Sequence, residues 1–255
     1  MAREPMDPVT PSSSSTSPQR FAAIDALRGL AVAQMIVYHF IYDLNYYGWV
    51  RLHMTRDMPW VSWRTAIVTQ FLLLVGVSLV LRHAFKPAWA DFWRRWLQIA
   101  GAAVLVSAGS WWVFHERFIF FGILHFIAVG LVLTRLALPL GRANFLTGLA
   151  VLAVGLLFKD EFFDPHPVTW IGFGTRKPTT EDFVPVFPWL GVTLVGAALG
   201  ALWQRRGFVV DPVLARLNTN PPRWLVFLGT WALTVYLVHQ PILFGVLGLI
   251  KKATG

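Results

Sequence analysis

The sequence predicts an all-α fold, a polytopic integral membrane helix bundle of about seven transmembrane helices. Hydrophobic residues make up 56% of the 255 residues and charged residues only 14%, whereas soluble domains are about half apolar and a quarter charged. Several apolar stretches also reach the roughly 20 residues that a helix needs to cross the hydrocarbon core. Because the composition is more apolar than that of soluble domains and the apolar segments are long enough to cross a bilayer, we expect a multi-pass membrane protein.

The predicted spans follow an N-terminal segment that is rich in Ser and Pro. Residues 1–19 contain few large apolar side chains, so we expect a disordered cytoplasmic tail. Residues 20–255 are expected to form a single transmembrane domain. The predicted spans are 24–46, 62–82, 95–114, 118–138, 144–158, 186–203 and 225–249.

The distribution of Lys and Arg predicts the orientation of the chain. With the N-terminus in the cytoplasm, more Lys and Arg residues fall on the inner side, and their clusters lie in the shorter loops. This favours a cytoplasmic N-terminus and an outer C-terminus. The net charge of +9 is spread between apolar segments and forms no single basic face, so we expect no nucleic-acid partner. The long segment 159–183 then lies outside, either as a partly ordered binding loop or as a solvated connector.

The first predicted span carries ionisable residues within an apolar sequence, RFAAIDALRGLAVAQMIVYHFIYDL (20–44). At about 100° per residue, these residues and two apolar ones share one face of the helix. Since a polar stripe facing lipid is costly, we expect it to face the bundle interior or a wet cavity. The stripe consists of Asp25, Arg28, Val32, Met35, His39 and Asp43.

Two pairs within this stripe have helical spacing. Asp25 and Arg28 are separated by three residues, so their charges can neutralise each other. His39 and Asp43 are separated by four, which would allow the carboxylate to orient the imidazole and raise its basicity. The alternative for each residue alone is an interfacial anchor or a hydrogen-bonded packing residue.

Other polar residues lie in later spans. With His39, His125 and His239 would place three histidines in the outer half of the membrane, and Gln240 and Pro241 follow His239 directly. No two of these histidines have the His-x3-His spacing that places two ligands on one helix face, so we expect no metal. The absence of Cys excludes disulfides, thiolate metal sites and a cysteine nucleophile.

A basic and aromatic segment, RHAFKPAWADFWRRW (82–96), is predicted to be a cytoplasmic loop. Cations combined with aromatic rings suit the phosphates and adenine of a coenzyme A. They equally suit anionic lipid head groups. The turn HER (115–117) at the outer side either flanks an acceptor site or is an ordinary polar turn.

Four stretches of the chain resemble one family in their order and spacing. They are IDALRGLAVAQMIVYHFIYDL (24–44), FFGILHFIAVGL (120–131), FPWLGVTLVGAALG (187–200) and LGTWALTVYLVHQPIL (228–243). The chain resembles the heparan-alpha-glucosaminide N-acetyltransferase catalytic-domain family. Arg28 and His39 also fit the arginine, ten residues, histidine signature of the broader membrane acyltransferase-3 superfamily.

This resemblance implies a membrane acyltransferase that uses an acyl-CoA, most simply acetyl-CoA, as cosubstrate. The acyl group would pass from the cytoplasm to a hydroxyl or amine on the outer face, on a glycan or small molecule, in the plasma (inner) membrane of a bacterium. We expect His39 to be the general base and Asp43 its partner, while a covalent acyl-histidine remains the variant. The residues expected to line the donor and acceptor sites are Arg28, Asp25, His125, His239 and Gln240.

Two other classes of function stay open at this stage. A proton-coupled transporter or flippase would use the same polar stripe as a relay. A non-catalytic assembly subunit would need none of its ionisable residues for chemistry. The absence of repeat symmetry and interrupted spans in the sequence favours the acyltransferase.

Overall fold

The computed structural model describes residues 21–85, 88–208 and 218–254. The predicted disordered tail, residues 1–19, lies outside these ranges. Within them the regular secondary structure is helical, as predicted. The helices are α1 (Ala22–Tyr46), α2 (Met58–Phe85), α3 (Trp89–Phe114), α4 (Ile123–Ala137), α5 (Asn144–Leu157), α6 (His166–Thr169), α7 (Val186–Arg205), α8 (Arg223–Thr230) and α9 (Ala232–Thr254).

Six helical runs in the described part of the chain are long and apolar enough to cross a membrane. The fourth run, Ile123–Leu157, contains both α4 and α5 and changes direction at Gly141, whose φ is 53°. Its two ends meet the same region: the Ile123 N–H donates to Asp182, and Gly155 packs on Pro188 at the start of α7. The run therefore supplies two antiparallel helices, which confirms the predicted bundle of about seven.

Several predicted spans have different bounds in the structure: α2 begins at Met58 rather than residue 62, and α4 at Ile123 rather than residue 118. The third begins at Trp89 rather than residue 95, so most of the basic segment 82–96 is helical rather than a loop. The seventh is broken at Trp231, whose φ of −96° and ψ of 19° separate α8 from α9. Pro241 lies inside α9 without interrupting it.

The direction of each helix follows from its contacts. Arg28 in α1 binds Ser78 near the end of α2, while Gln34 in α1 binds Gln70 earlier in α2, so α1 and α2 are antiparallel. We call the two ends of the bundle the Arg28 end and the His39 end. From the contacts of each helix, α1, α3, α5 and α9 run toward the His39 end, and α2, α4 and α7 run toward the Arg28 end.

Helix α7 packs tightly between α2 and α5. A Cβ on Gly76 in α2 would lie 2.1 Å from the Thr193 carbonyl oxygen, and one on Gly196 in α7 would lie 2.3 Å from that of Leu73. Glycine at both positions lets the two backbones approach as small residues do in other membrane bundles. The helices α2, α5 and α7 are therefore closely packed. The cavity lies on the side of the bundle that contains α1.

The long segment 159–183 is ordered and covers the His39 end. Asp164 accepts hydrogen bonds from the Thr175 N–H at 2.6 Å, the Thr175 hydroxyl at 2.7 Å and the Arg176 N–H at 3.1 Å. These bonds, led by that from the Thr175 side chain, hold the pKa of Asp164 below its usual value. The Glu181 N–H donates to the Arg117 carbonyl, which ties the segment to the α3–α4 turn. These bonds match the order predicted for a binding loop, while the binding role itself stays a prediction.

Candidate active site

A large cavity of about 1590 Å³ runs beside α1 from one end of the bundle to the other. The side chains of Asp25, Arg28, Met35, His39 and Asp43 lie on its wall. Asp25 and Asp43 are 18 positions apart, which corresponds to roughly 27 Å along the helix axis. The polar face predicted for the first span therefore borders a cavity, although Val32 of the same stripe is buried by packing.

At one end of this cavity, Arg28 is held by three neighbours. Its guanidinium donates to the Asp25 carboxylate at 2.9 Å, to the Gly229 carbonyl oxygen at 3.2 Å and to the Ser78 hydroxyl at 2.8 Å. The predicted Asp25–Arg28 pair is present. Because the guanidinium bridges α1, α2 and α8, Arg28 is fixed within the bundle instead of extending to the interface.

Two more arginines line the same end of the cavity. Arg82 lies near the end of α2 and Arg95 in the second turn of α3, and both belong to the basic segment identified in the sequence. Together with Arg28 they place three guanidinium groups at one end of the cavity. Guanidinium groups bind phosphate through paired, charge-assisted hydrogen bonds, so this end suits a polyanionic ligand.

Farther along the cavity, His39 contacts His239 across α1 and α9. The distance from His39 Nδ1 to His239 Nε2 is 2.7 Å, and the ring centroids are 4.9 Å apart. His239 Nδ1 lies 2.7 Å from the Tyr236 carbonyl oxygen and 3.1 Å from that of Val235. Since carbonyl oxygens only accept, His239 Nδ1 carries the proton in this pair.

This contact determines the tautomers of both neutral rings. With its proton on Nδ1, His239 presents Nε2 as an acceptor, so His39 Nδ1 must donate to it. The lone pair of His39 then resides on Nε2, which has no hydrogen-bond partner among the described residues. The pair is therefore arranged as a proton acceptor, His39, oriented by a second imidazole.

The structure differs from the prediction that Asp43 orients His39. The Asp43 carboxylate instead accepts a hydrogen bond from Gln240 Nε2 at 2.7 Å. The side chains of residues four apart on a helix are neighbours, but here each finds a partner on α9, because α1 and α9 run parallel and in contact. The hydrogen-bond partner of His39 is therefore His239 and not Asp43.

Two buried oxygen atoms beside the histidines have no hydrogen-bond partner in the described part of the protein. They are Asp43 Oδ2 and Gln240 Oε1, and both residues line the cavity. Exchanging the amide nitrogen and oxygen of Gln240 would set two oxygens against each other, so its orientation is determined by Asp43. Both atoms are acceptors, so a ligand that reached them would have to offer hydroxyl or amine donors.

The His39 end of the cavity is lined by a network of charged groups. The Tyr42 hydroxyl donates to Glu181 Oε2 at 2.7 Å, and Arg117 pairs with Glu181 Oε1 at 2.7 Å. Arg64 lies 3.4 Å from Asp182. These contacts tie α1, α2 and the α3–α4 turn to the segment 159–183. Of these residues, sequence reasoning singled out only the Arg117 turn, since the others come from separate elements with no shared spacing.

Lys177 adds a cation to the same end. It lines the cavity within the segment 159–183. Lys177 is exposed overall, but partial desolvation lowers the pKa of its ammonium, and the nearby Arg64 charge lowers it further. The ammonium therefore loses its proton more easily than an ordinary lysine.

His125 does not join the other two histidines. The Gly122 N–H donates to His125 Nδ1 at 3.2 Å, so Nε2 carries the proton and donates to the Ser107 hydroxyl at 2.9 Å. That hydroxyl in turn donates to the Ile119 carbonyl at 2.7 Å. Both ring nitrogens are used to hold the start of α4 against α3, and His125 is absent from the cavity wall.

The donor set around the cavity does not resemble a metal centre. Within residues 21–85, 88–208 and 218–254, no group of three or more His, Asp or Glu side chains is arranged to hold a metal ion. His39 and His239 face each other at hydrogen-bond distance, which leaves no room for an ion between their nitrogens.

One comparison with known proteins covers most of the chain. A family model described as heparan-alpha-glucosaminide N-acetyltransferase, catalytic, matches residues 20–241. No curated protein and no solved structure matches the chain. The matched range contains Arg28, His39, Asp43, His239 and Gln240. The chain therefore belongs to the heparan-alpha-glucosaminide N-acetyltransferase catalytic-domain family, a family of membrane acetyltransferases.

Proposed function

We propose that the protein transfers an acetyl group from acetyl-CoA, bound from the cytoplasm at the Arg28 end, to a hydroxyl or amine presented at the His39 end on the outer face. One observation carries this proposal: the His39–His239 pair and the three-arginine end belong to the wall of the same cavity. Family membership supports acetyl transfer. The expected acceptor is a glycan or a small molecule with hydroxyl or amine groups.

The dimensions of the cavity support this placement of the donor. Arg28 and His39 are eleven residues apart, so about 16 Å separate them along α1. An extended thiol arm covers a comparable length, which lets the phosphates stay with the arginines while the thioester reaches the imidazole. The volume of about 1590 Å³ exceeds the roughly 300–1,000 Å³ of an ordinary ligand pocket, so the donor and an acceptor fit together.

In this mechanism, His39 acts as the general base. Its Nε2 takes the proton from the acceptor O–H or N–H while the oxygen or nitrogen attacks the thioester carbonyl carbon. The tetrahedral intermediate then expels the thiolate of coenzyme A, which takes the proton from the imidazolium, and an ester or amide remains. His239 accepts from His39 Nδ1 throughout and stabilises the imidazolium.

A covalent route is the variant of this scheme. His39 Nε2 would attack the thioester first and expel the thiolate of coenzyme A; the acceptor O–H or N–H would then attack the acetyl-imidazole, free the histidine and give its proton to the thiolate. Label retained on the protein after incubation with acetyl-CoA alone would favour this route over direct transfer.

The proposed acceptor site lies beside the base. Asp43 Oδ2 and Gln240 Oε1 are buried acceptors without partners among the described residues. We expect hydroxyl or amine groups of the acceptor to donate to these two oxygens. Such bonds would orient the acceptor for attack, and an acceptor without these groups would leave buried oxygens unpaired at a cost of about 1–3 kcal/mol.

The test is the His39→Ala variant. Purified protein in nanodiscs would be incubated with radiolabelled acetyl-CoA and fractionated envelope extract. We expect His39→Ala to reduce label transfer by about 100- to 10,000-fold, the usual contribution of a general base, while thermal unfolding stays as in the wild type. His53→Ala is the matched control, since His53 is exposed and outside the cavity wall. Normal turnover in His39→Ala would overturn the assignment.

A proton-coupled transporter is the second candidate because the cavity reaches both ends of the bundle. A transporter would move protons through liposomes without any acyl product, whereas an acetyltransferase would form product without net proton flux. A pH-sensitive dye trapped in the liposomes, read beside the label assay, distinguishes the two.

A further inference from the structure

The cavity also opens sideways, between α3 and α9. From α3, Leu105, Gly109 and Val113 line the cavity and are exposed, with Leu105 65% exposed. From α9, Pro241 and Gly245 do the same. Because α3 and α9 make few contacts with each other, exposed residues that line the cavity on both helices mark a gap in its wall.

No neighbouring helix packs against the two glycines that line this gap. A Cβ built on Gly109 or on Gly245 meets no atom within 4 Å, whereas one on Gly76 would lie 2.1 Å from a backbone oxygen. Toward the His39 end, α3 and α9 do meet, with the Phe114 and Phe244 rings 5.5 Å apart. Leu105, Gly109 and Pro241 therefore lie on the Arg28 side of this aromatic contact, and Gly245 lies next to it.

The gap is level with the proposed base. Gly109 precedes Phe114 by five residues, and His239 precedes Phe244 by five residues, so each lies about 7.5 Å below its ring. Because the two rings touch, Gly109 and His239 share one depth. Both helices are candidate membrane spans, so the medium outside the gap is the hydrocarbon of the bilayer.

The chemistry of the gap suits a hydrocarbon chain. The residues that border it are Leu, Val, Gly, Pro and Phe, while the charged residues of the cavity lie toward its two ends. A polar solute crossing here would lose its hydrogen bonds to water without finding replacements. An acetyl group has only two carbons, so the donor itself has no chain that needs this gap.

We propose that the acceptor is carried on a lipid, whose tail passes through the gap between α3 and α9 while its head group binds beside His39, Asp43 and Gln240. This inference rests on the proposed acetyl transfer and names the class of acceptor. It explains why the wall is open at the depth of the imidazole pair and apolar at that point.

Transfer to a matched pair of acceptors tests the inference. Purified full-length protein in nanodiscs would receive radiolabelled acetyl-CoA with either hexadecyl glucosaminide or methyl glucosaminide, since glucosaminide is the acceptor in the family's description. We expect the tailed compound to be acetylated at least about tenfold faster, and Gly109→Trp with Gly245→Trp to reduce that rate about tenfold, a change that corresponds to about 1.4 kcal/mol. Gly101→Trp is the control, since a Cβ there also meets no atom and Gly101 is outside the cavity wall.

A second measurement needs no turnover. Hexadecyl glucosaminide with a diazirine in its tail would be photocrosslinked to the protein without donor, and the labelled peptides would be mapped. We expect label on α3 at 105–113 and on α9 at 241–245 in the wild type and in Gly101→Trp, and its loss in the double tryptophan variant. Label spread evenly over other lipid-facing helices, or a crosslinked second copy filling the gap, would overturn the inference.

The two measurements separate the inference from the proposed function. Equal acetylation of both glucosaminides would overturn the lipid-borne acceptor and leave acetyl transfer intact. Label in the gap with no acetylation of either compound would overturn acetyl transfer and support the lipid site.

Discussion

At the residue scale, the proposed chemistry depends on a hydrogen bond between two histidines that lie 200 positions apart. His39 was identified from its place on a polar helix face, whereas His239 was one of three histidines at a similar predicted depth. The structure selects between them, because His239 is 2.7 Å from His39 while His125 is bound to Ser107 and Gly122. A hydrogen-bond partner thus decides which histidine belongs to the site.

The first prediction concerns His239. His239→Leu removes the acceptor of the His39 Nδ1 proton and should lower kcat by about 100- to 10,000-fold, in the range of a misoriented general base. His239→Gln keeps an acceptor atom near the position of Nε2, so it should retain more of the activity. KM for acetyl-CoA should change much less in both variants, because the arginines lie at the other end. Equal losses in the two variants would mean that packing, rather than the hydrogen bond, is what His239 supplies.

A second prediction compares the effects of replacing two arginines at the Arg28 end, the proposed donor site. Arg28→Ala removes the ion pair with buried Asp25, so it should lower the free energy of unfolding by about 1–3 kcal/mol and also weaken acetyl-CoA binding. Arg82→Ala should weaken binding alone, because Arg82 is exposed. Thermal unfolding and calorimetric titration with acetyl-CoA measure the two effects. Unchanged affinity in both variants would remove these arginines from the donor site.

At the element scale, the contact between α1 and α8 positions the donor end of the cavity. The two helices pack so closely that a Cβ on Gly229 would lie 1.8 Å from the Asp25 carbonyl oxygen, and one on Gly29 would lie 1.9 Å from that of Leu225. The same approach brings the Gly229 carbonyl to Arg28. The two glycines therefore allow close packing of α1 on α8 and also place a hydrogen-bond acceptor beside the Arg28 guanidinium.

The third prediction follows from this crossing. Gly229→Ala would force α8 away from α1 and should destabilise the protein by at least about 1–3 kcal/mol, as other overpacked sites do. Gly101→Ala is the matched control, since its Cβ meets no atom within 4 Å and alanine favours a helix by up to about 1 kcal/mol. Unfolding of the two variants in detergent compares them directly. Equal stability would show that α8 moves at no cost.

At the scale of the whole molecule, the orientation of the chain across the membrane decides which end of the cavity faces the cytoplasm. The contacts order the helices between an Arg28 end and a His39 end, and the distribution of Lys and Arg predicts that the Arg28 end faces the cytoplasm. That orientation would expose the arginines to cytoplasmic acetyl-CoA. The opposite orientation would present the donor end to a compartment without it.

The absence of cysteine allows a direct test of this orientation. Glu116 lies in the α3–α4 turn and Arg142 in the α4–α5 turn, and both residues are exposed. Each would be replaced by cysteine in a separate variant. On intact cells, a membrane-impermeant maleimide should label Glu116→Cys, and it should label Arg142→Cys only after lysis. The reverse pattern would place the N-terminus outside and contradict the proposed entry of the donor.

The sequence by itself determined the membrane class, most of the spans and the polar face of α1. These properties are local: apolar length decides whether a segment crosses a bilayer, and a helical period places residues on one face within a single segment. For the same reason the Asp25–Arg28 pair, three residues apart, was predicted and is present.

Only the tertiary structure decided which partners these residues have. The spacing of His39 and Asp43 allowed a hydrogen bond within α1, but α9 lies alongside and supplies His239 and Gln240 instead. The break at Trp231, the closure of Gly229 on α1 and the gap beside Gly109 also depend on how separate helices meet. Helical periodicity describes one helix at a time, so contacts between helices that are distant in sequence follow only from their packing.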